Sequence, residues 1–254
     1  MFRYTVVFIL IFNSIFVFAQ KQHIAQGNLF FRYQLNLKLP KDFKIKTEVE
    51  ERMFIKPTIK HQQFYVRAVA GKEFKKNWFI GVGFAFFGNS PNDPINESKL
   101  IAPEYRPYLE ISNNQKITNK FSITNRYKVE GRFMKSTNAE YTSLVDGFSN
   151  SCRFRYQIGL EYTPYRNVEK ELKLKMYDEV MVQIGKSVGK NIFDQNRVGL
   201  AVQYNFNKKV GAELSYIFWL QQLKSGDKVY SRQILRFTLI NNFSISKKHK
   251  EEKQ

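Results

Sequence analysis

The sequence predicts an all-β protein, a single antiparallel transmembrane β-barrel with up-and-down connections. Three observations lead there. The chain opens on an apolar run laid out as an export signal, long stretches alternate strictly between oily and ionic side chains, and aromatic rings crowd the ends of those stretches. Composition closes other routes. With 43% hydrophobic residues and a mean hydropathy of −0.43 the chain is neither a disordered polyelectrolyte nor a bundle of membrane helices. A single Cys152 excludes an intramolecular disulfide framework and any multi-cysteine zinc site.

Residues 1–19 are expected to be a signal peptide. Met1-Phe2-Arg3-Tyr4 supplies one positive charge, Thr5 to Phe18 is apolar apart from Asn13 and Ser14, and Val17-Phe18-Ala19 offers a cleavage motif. The alternative is an uncleaved anchor, but the run is short for a span and polar chain follows at once. No cysteine stands at the cleavage position to take a lipid. Residues 20–246 form the barrel in this reading, and 247–254 a basic periplasmic tail.

The strands follow in order. Leu29, Phe31, Tyr33, Leu35 and Leu37 alternate with Arg32, Gln34, Asn36 and Lys38, and Phe43, Ile45, Val49, Met53 and Ile55 with Lys44, Lys46, Glu48, Glu50 and Arg52. Segments 61–71 and 78–87 come next, the second presenting Gly81, Gly83 and Ala85 on one face. Tyr105, Leu109 and Ile111 oppose Arg106 and Glu110, and 121–133 sets Phe121, Ile123, Tyr127, Val129 and Phe133 against Arg126, Lys128, Glu130 and Arg132. Further on, Phe154 to Tyr162 opposes Arg153, Arg155 and Glu161, and Leu172 to Ile184 opposes Lys173, Lys175 and Glu179. Val198 to Phe206 opposes Arg197, Val210 to Leu220 opposes Glu213, and Leu235 to Ile245 opposes Arg236. A period of two puts unlike side chains on the two faces of a strand. Strands of ~9–13 residues suit a tilted membrane crossing better than a soluble sheet. The alternative is a soluble sandwich or lipocalin-like barrel, which would bury the oily face inside.

Links near 39–42, 74–77, 113–120, 163–171 and 205–210 are short, whereas 88–103, 135–151, 186–195 and 222–230 are longer, so the first set is assigned to the periplasm and the second to the exterior. These segments number eleven, yet a bacterial barrel with both ends on one side needs an even number. An extra short strand in 20–28 gives 12, the expected count; discarding one segment gives 10.

Arg126, Glu130 and Arg132 on one face, the Arg153-Phe154-Arg155 strand, and Phe193-Asp194-Gln195-Asn196-Arg197-Val198-Gly199-Leu200 resemble an uncharacterised Gram-negative outer-membrane β-barrel family that carries only a domain-of-unknown-function label. The resemblance spans most of the mature chain and is weaker in its N-terminal third. It implies an outer-membrane barrel of unassigned role and transfers no catalytic residues.

The expected lumen network comprises Arg52, Arg106, Glu110, Arg126, Lys128, Glu130, Arg132, Arg153, Arg155, Glu161, Glu179, Arg197, Glu213 and Arg236. Two readings stay open. A narrow barrel can fill itself with ion pairs, or a water-filled passage with cationic excess can draw small anionic solutes. Tyr105, Tyr127, Phe133, Tyr162, Tyr204, Phe206 and Phe243 are assigned to the membrane interfaces. The expected function is a small passive channel. The alternative is a closed structural barrel that recognises partners through its outer loops.

A lipid-modifying enzyme ranks lower. His23, His61 and His249 are the only imidazoles, and none is expected beside a serine on a shared strand face. Asp93, Asn96 and Glu97 do not match a calcium loop, so neither metal nor other cofactor is expected. The formal +19 raises nucleic acid as a partner, but the charges spread over many strands of an exported chain. Outer-membrane lipids are the expected partners, the chain acting as a monomer. Asp178 breaks the pattern by pointing outward among Leu174, Met176 and Val180, which a bulge or an interface position would relieve.

Overall fold

The computed structural model describes residues 22–74, 77–185, 188, 192–223, 226 and 228–245. The expected signal peptide at 1–19 and tail at 247–254 lie outside the described residues. Alternation of face along the chain is realised as strands β1 (Gln22–Lys38), β2 (Phe43–Lys56), β3 (Lys60–Phe74), β4 (Trp78–Asn89), β5 (Ala102–Lys116) and β6 (Phe121–Thr137), then β7 (Leu144–Arg166), β8 (Glu171–Ile184), β9 (Phe193–Asn205), β10 (Val210–Gln222) and β11 (Lys228–Ser244). They run from 12 to 23 residues, longer than the alternation alone marks out. The only helical turn among the described residues is Pro40–Asp42, between β1 and β2.

Each strand pairs antiparallel with the next, and β1 closes the ring against β11. The expectation of 12 strands, or 10, is therefore corrected to 11 among the described residues. The even count assumed that every pair is antiparallel. The closing pair is instead parallel, in unbroken register from Gln22↔Lys228 to Lys38↔Ser244. A parallel ladder still gives the backbone N–H and C=O groups partners along the seam, so an odd number leaves no open edge. Residues 22–28 are not a separate strand but the first part of β1. The two ends of the wall strands lie at opposite rims, with Gln22 among the longer loops and Ser244 among the short turns.

The two rims differ as expected for most connections. Links at 39–42, 117–120, 167–170 and 206–209 are short, whereas 90–101 and 185–192 are longer. The expected loop at 135–151 is largely strand, because β6 and β7 stay paired out to Thr137↔Leu144. The link at 57–59 on the loop-side rim is also short.

The oily rows face outward. Val82 is 63% exposed and Leu214 52%, while the charged row of β2 turns inward with Glu48 and Glu50 at 1% and 0%. The interior also holds apolar side chains that strict alternation does not reveal. Tyr65, Val69, Ala85, Phe87 and Tyr108 form one cluster, and Phe30, Ile217, Trp219 and Ile234 another. Glycine makes room for two tyrosine rings. A Cβ on Gly83 would come 2.3 Å from the Tyr108 ring, and one on Gly199 2.4 Å from Tyr177.

Asp178 faces outward with no bulge to excuse it, set in regular register between Ile158 and Val198. Its Oδ1 accepts one hydrogen bond, from Asn196 Nδ2 at 2.6 Å. The outward assignment of the sequence reading is correct here, and of its two remedies the bulge is absent.

Candidate functional site: the ion-paired interior

Because every strand sends its ionic row inward, charges from neighbouring strands meet across the lumen. Glu48 on β2 is met by Arg67 on β3 at 2.5 Å, Lys46 at 2.9 Å and Arg32 on β1 at 3.5 Å. Glu50 is shared by Arg32 at 2.5 Å and Arg52 at 2.6 Å. Glu104 on β5 holds Arg106 at 2.7 Å and Arg132 of β6 at 2.6 Å. Glu179 on β8 takes Arg126 at 2.9 Å and Arg155 at 2.8 Å, and Arg155 also reaches Glu130 at 2.8 Å. Lys128 pairs with Glu110 at 3.0 Å, Lys173 with Glu161 at 2.8 Å, and Glu213 with Lys175 at 2.9 Å and Arg236 at 3.4 Å. Charges withdrawn from water need such partners to offset their lost hydration.

Three cavities follow one another along the axis. The loop-side one has a volume of about 430 Å³, the central one about 260 Å³ and the turn-side one about 550 Å³. Residues that line two of them mark the necks between. Arg52, Arg106, Arg153, Arg197 and Trp219 line both the loop-side and the central cavity. Lys46, Arg126, Gln157, Lys175 and Tyr177 line both the central and the turn-side cavity. The central cavity is lined by eleven Lys and Arg side chains and by only two carboxylates, Glu179 and Glu213. Glu50, Glu104 and Glu130, which hold several of those cations, do not line it; they sit behind the guanidinium groups.

Trp219 organises the loop-side neck. Its direct cross-strand partners are Arg197 on β9 and Arg232 on β11. The guanidinium carbons of these two lie 4.0 Å and 4.6 Å from its ring centroid. Arg52 packs over Phe30 at 4.8 Å and Tyr65 at 4.9 Å, and Arg106 over Phe87 at 3.6 Å. Flat guanidinium groups stack on aromatic faces while keeping their edge donors free.

All fourteen residues expected in the lumen have inward-facing places on their strands, and all but Arg197 sit in an ion pair. Alternation did not single out Glu104, Arg232 or Asp194. Glu104 and Arg232 share the parity of Arg106 and Arg236, so the signal was present. Asp194 meets Arg153 at 2.8 Å just beyond a register shift in the β8–β9 pairing, which hides it from a simple alternation.

The rings assigned to the interfaces fall in different places. Tyr105 and Phe133 stand toward the loop-side rim, Tyr105 against Phe86 and Phe148. Tyr162 stacks on Phe121 at 4.6 Å, Tyr204 meets Phe206 edge-on at 5.2 Å, and Phe243 lies near the same turn-side rim. Tyr127 lies further along β6 from the turns, stacked on Tyr156 at 5.0 Å.

At the loop-side rim one histidine does meet a serine, although not on a shared strand face. His61 Nδ1 lies 2.6 Å from Ser90 Oγ, and its Nε2 lies 3.3 Å from Glu51 Oε1. Sequence distance concealed this contact, because Ser90 follows β4. The order of groups is that of a hydrolase, but the residue after Ser90 is Pro91. Pro91 has no N–H, so the usual donor to an oxyanion beside the nucleophile is missing. The contacts act as a staple that ties the 90–101 link to β3. Tyr141 supports the same rim by donating its hydroxyl to Asn89 O at 2.9 Å. Burial, with Glu104 nearby, pushes that hydroxyl up to about 12, so it remains a neutral donor at ordinary pH. No group of three or more potential metal-ligating side chains occurs among the described residues.

These features define a class: a closed β-barrel, oily outside and ion-paired within. The chain belongs to the family described as "Protein of unknown function (DUF2490)", whose model matches residues 27–230. That family agrees with the resemblance carried by the Arg- and Glu-rich strands. Among solved structures, the chain is similar to a NanC porin at 10% identity and a TM-score of 0.44, over 80% of this chain and 93% of that one. No curated protein matches it.

Proposed function

We infer that this protein is an outer-membrane barrel that forms a small passive channel preferring anions. The observation that carries the reading is the lining of the central cavity, where eleven cationic side chains face two carboxylates. With Glu50, Glu104 and Glu130 behind the guanidinium groups, a solute in the passage meets mainly positive charge, and rings of Arg and Lys select anions in this way. The exposed oily belt and the aromatic rims support a hydrocarbon surrounding. The export signal read in 1–19 supports the outer membrane as its place.

Planar-bilayer recordings on the purified barrel test this. Defined openings are expected, with a reversal potential favouring chloride over potassium. Changing Arg126 and Arg132 to Gln together is expected to move that potential toward zero selectivity. A folded barrel that stays silent would favour the second reading, a closed structural barrel, for which the two aromatic clusters filling the lumen are the supporting feature.

A further inference from the structure

The four arginines of the loop-side neck are not equivalent. Arg52, Arg106 and Arg153 each hold a carboxylate, of Glu50, Glu104 and Asp194 respectively. Arg197 has no carboxylate within ion-pair distance among the described residues. Its one hydrogen bond to a described side chain runs from Nη2 to Gln195 Oε1 at 2.9 Å, and its Nε is buried without an acceptor. Glu179 stands directly across from it in the ladder but is committed to Arg126 and Arg155. A second unsatisfied donor stands beside it. Trp219 is 5% exposed and its Nε1 has no acceptor. Arg153, 2% exposed, likewise leaves its Nε without an acceptor.

Buried donors left unmade are costly, and donors clustered in one neck point to an acceptor that arrives from outside. The chamber above the neck indicates what else that molecule carries. Its lining includes Gln62, Gln63, Asn89, Gln183, Gln195 and Gln221. The oxygens of Gln62, Gln183, Gln195 and Gln221 already accept from Asn28, Arg132, Arg197 and Arg232, so what these four have left for a solute is the amide N–H, a donor that suits hydroxyl oxygens. An aliphatic solute would offer those N–H donors no acceptor.

We propose that the loop-side neck is a binding site for a small polyhydroxylated carboxylate, its carboxylate on Arg197 beside Arg153 and its hydroxyls among the chamber amides. A guanidinium fork matches a planar carboxylate with two parallel hydrogen bonds, and stacking on Trp219 fixes the fork's orientation beforehand. The site names the solute class for the channel inferred above and rests on that reading for its purpose, but binding is measurable without conduction.

The chain has two tryptophans, so replacing Trp78 with Phe leaves Trp219 as the sole indole reporter. The full-length barrel, folded in detergent, is titrated with gluconate. A saturable change in Trp219 emission is expected. Propionate, which lacks the hydroxyls, and glucose, which lacks the charge, should each bind about tenfold more weakly or worse. Arg197→Gln should weaken gluconate by about tenfold or more, and Arg197→Lys should do so in part, because it keeps the charge and loses the fork. The lysine variant keeps the test decisive if the glutamine variant fails to fold. No emission change, equal affinity for propionate, or unaltered gluconate binding in a folded Arg197 variant would overturn the site. Gluconate should also block single-channel current in wild type, and only at higher concentration in Arg197→Lys. Binding without any current would retain the site and refute the channel; current without binding would do the reverse.

Discussion

The inner and outer faces of the same wall handle charge in opposite ways. Inside, Glu104 is fully buried and is held by Arg106 of its own strand and Arg132 of the next. Outside, Asp178 stands among Met176, Val180 and Val198 with one amide donor. The first carboxylate is expensive to desolvate but is compensated on both oxygens. The second has no cation within ion-pair distance among the described residues. The contrast shows that a carboxylate's effect in this barrel is set by the partners its ladder position delivers together with how far it is withdrawn from water.

The contrast breaks most sharply at Glu104. Replacing it with Gln leaves Arg106 and Arg132 buried without their counter-charge, and a loss of about 3–5 kcal/mol is expected in urea unfolding from lipid vesicles. Glu161→Gln is the internal control. Glu161 pairs with Lys173 near the turns, where both side chains keep some water, and a loss under about 1 kcal/mol is expected. Equal losses at the two positions would refute the idea that compensation matters more inside the wall.

Asp178 sharpens the outer half of the comparison. Asp178→Leu is expected to stabilise the barrel in vesicles by about 1 kcal/mol, since an acidic group on the lipid face is unfavourable. A fall in the urea midpoint would mean that this patch does not face hydrocarbon. The rim should respond least. His61→Ala removes the staple to Ser90 and Glu51, both partly exposed, and should cost no more than about 1 kcal/mol. A fluorophosphonate probe should leave Ser90 unlabelled; labelling would show that the serine is activated and that the staple reading is wrong.

Most of the strands, and the inward direction of Arg126, Lys128, Glu130, Arg132, Arg153 and Arg155, are legible in the order of residues, because a strand turns its side chains by half a revolution at each step. The parity of Arg236 even extends to Arg232. What parity does not carry is which strands become neighbours around the ring. It therefore missed the parallel seam of β1 and β11, and with it the count of 11. Nor does it distinguish Arg197 from Arg155, two inward arginines of the same kind, one without a carboxylate and one with two.

The sequence by itself determined the two unlike faces of the wall, since the period of two is written into successive side chains and needs no knowledge of their neighbours. Only the tertiary structure decided the closure, the pairing of each charge and the approach of Ser90 to His61. Those depend on distances between residues far apart in the chain, which register and ring closure set together.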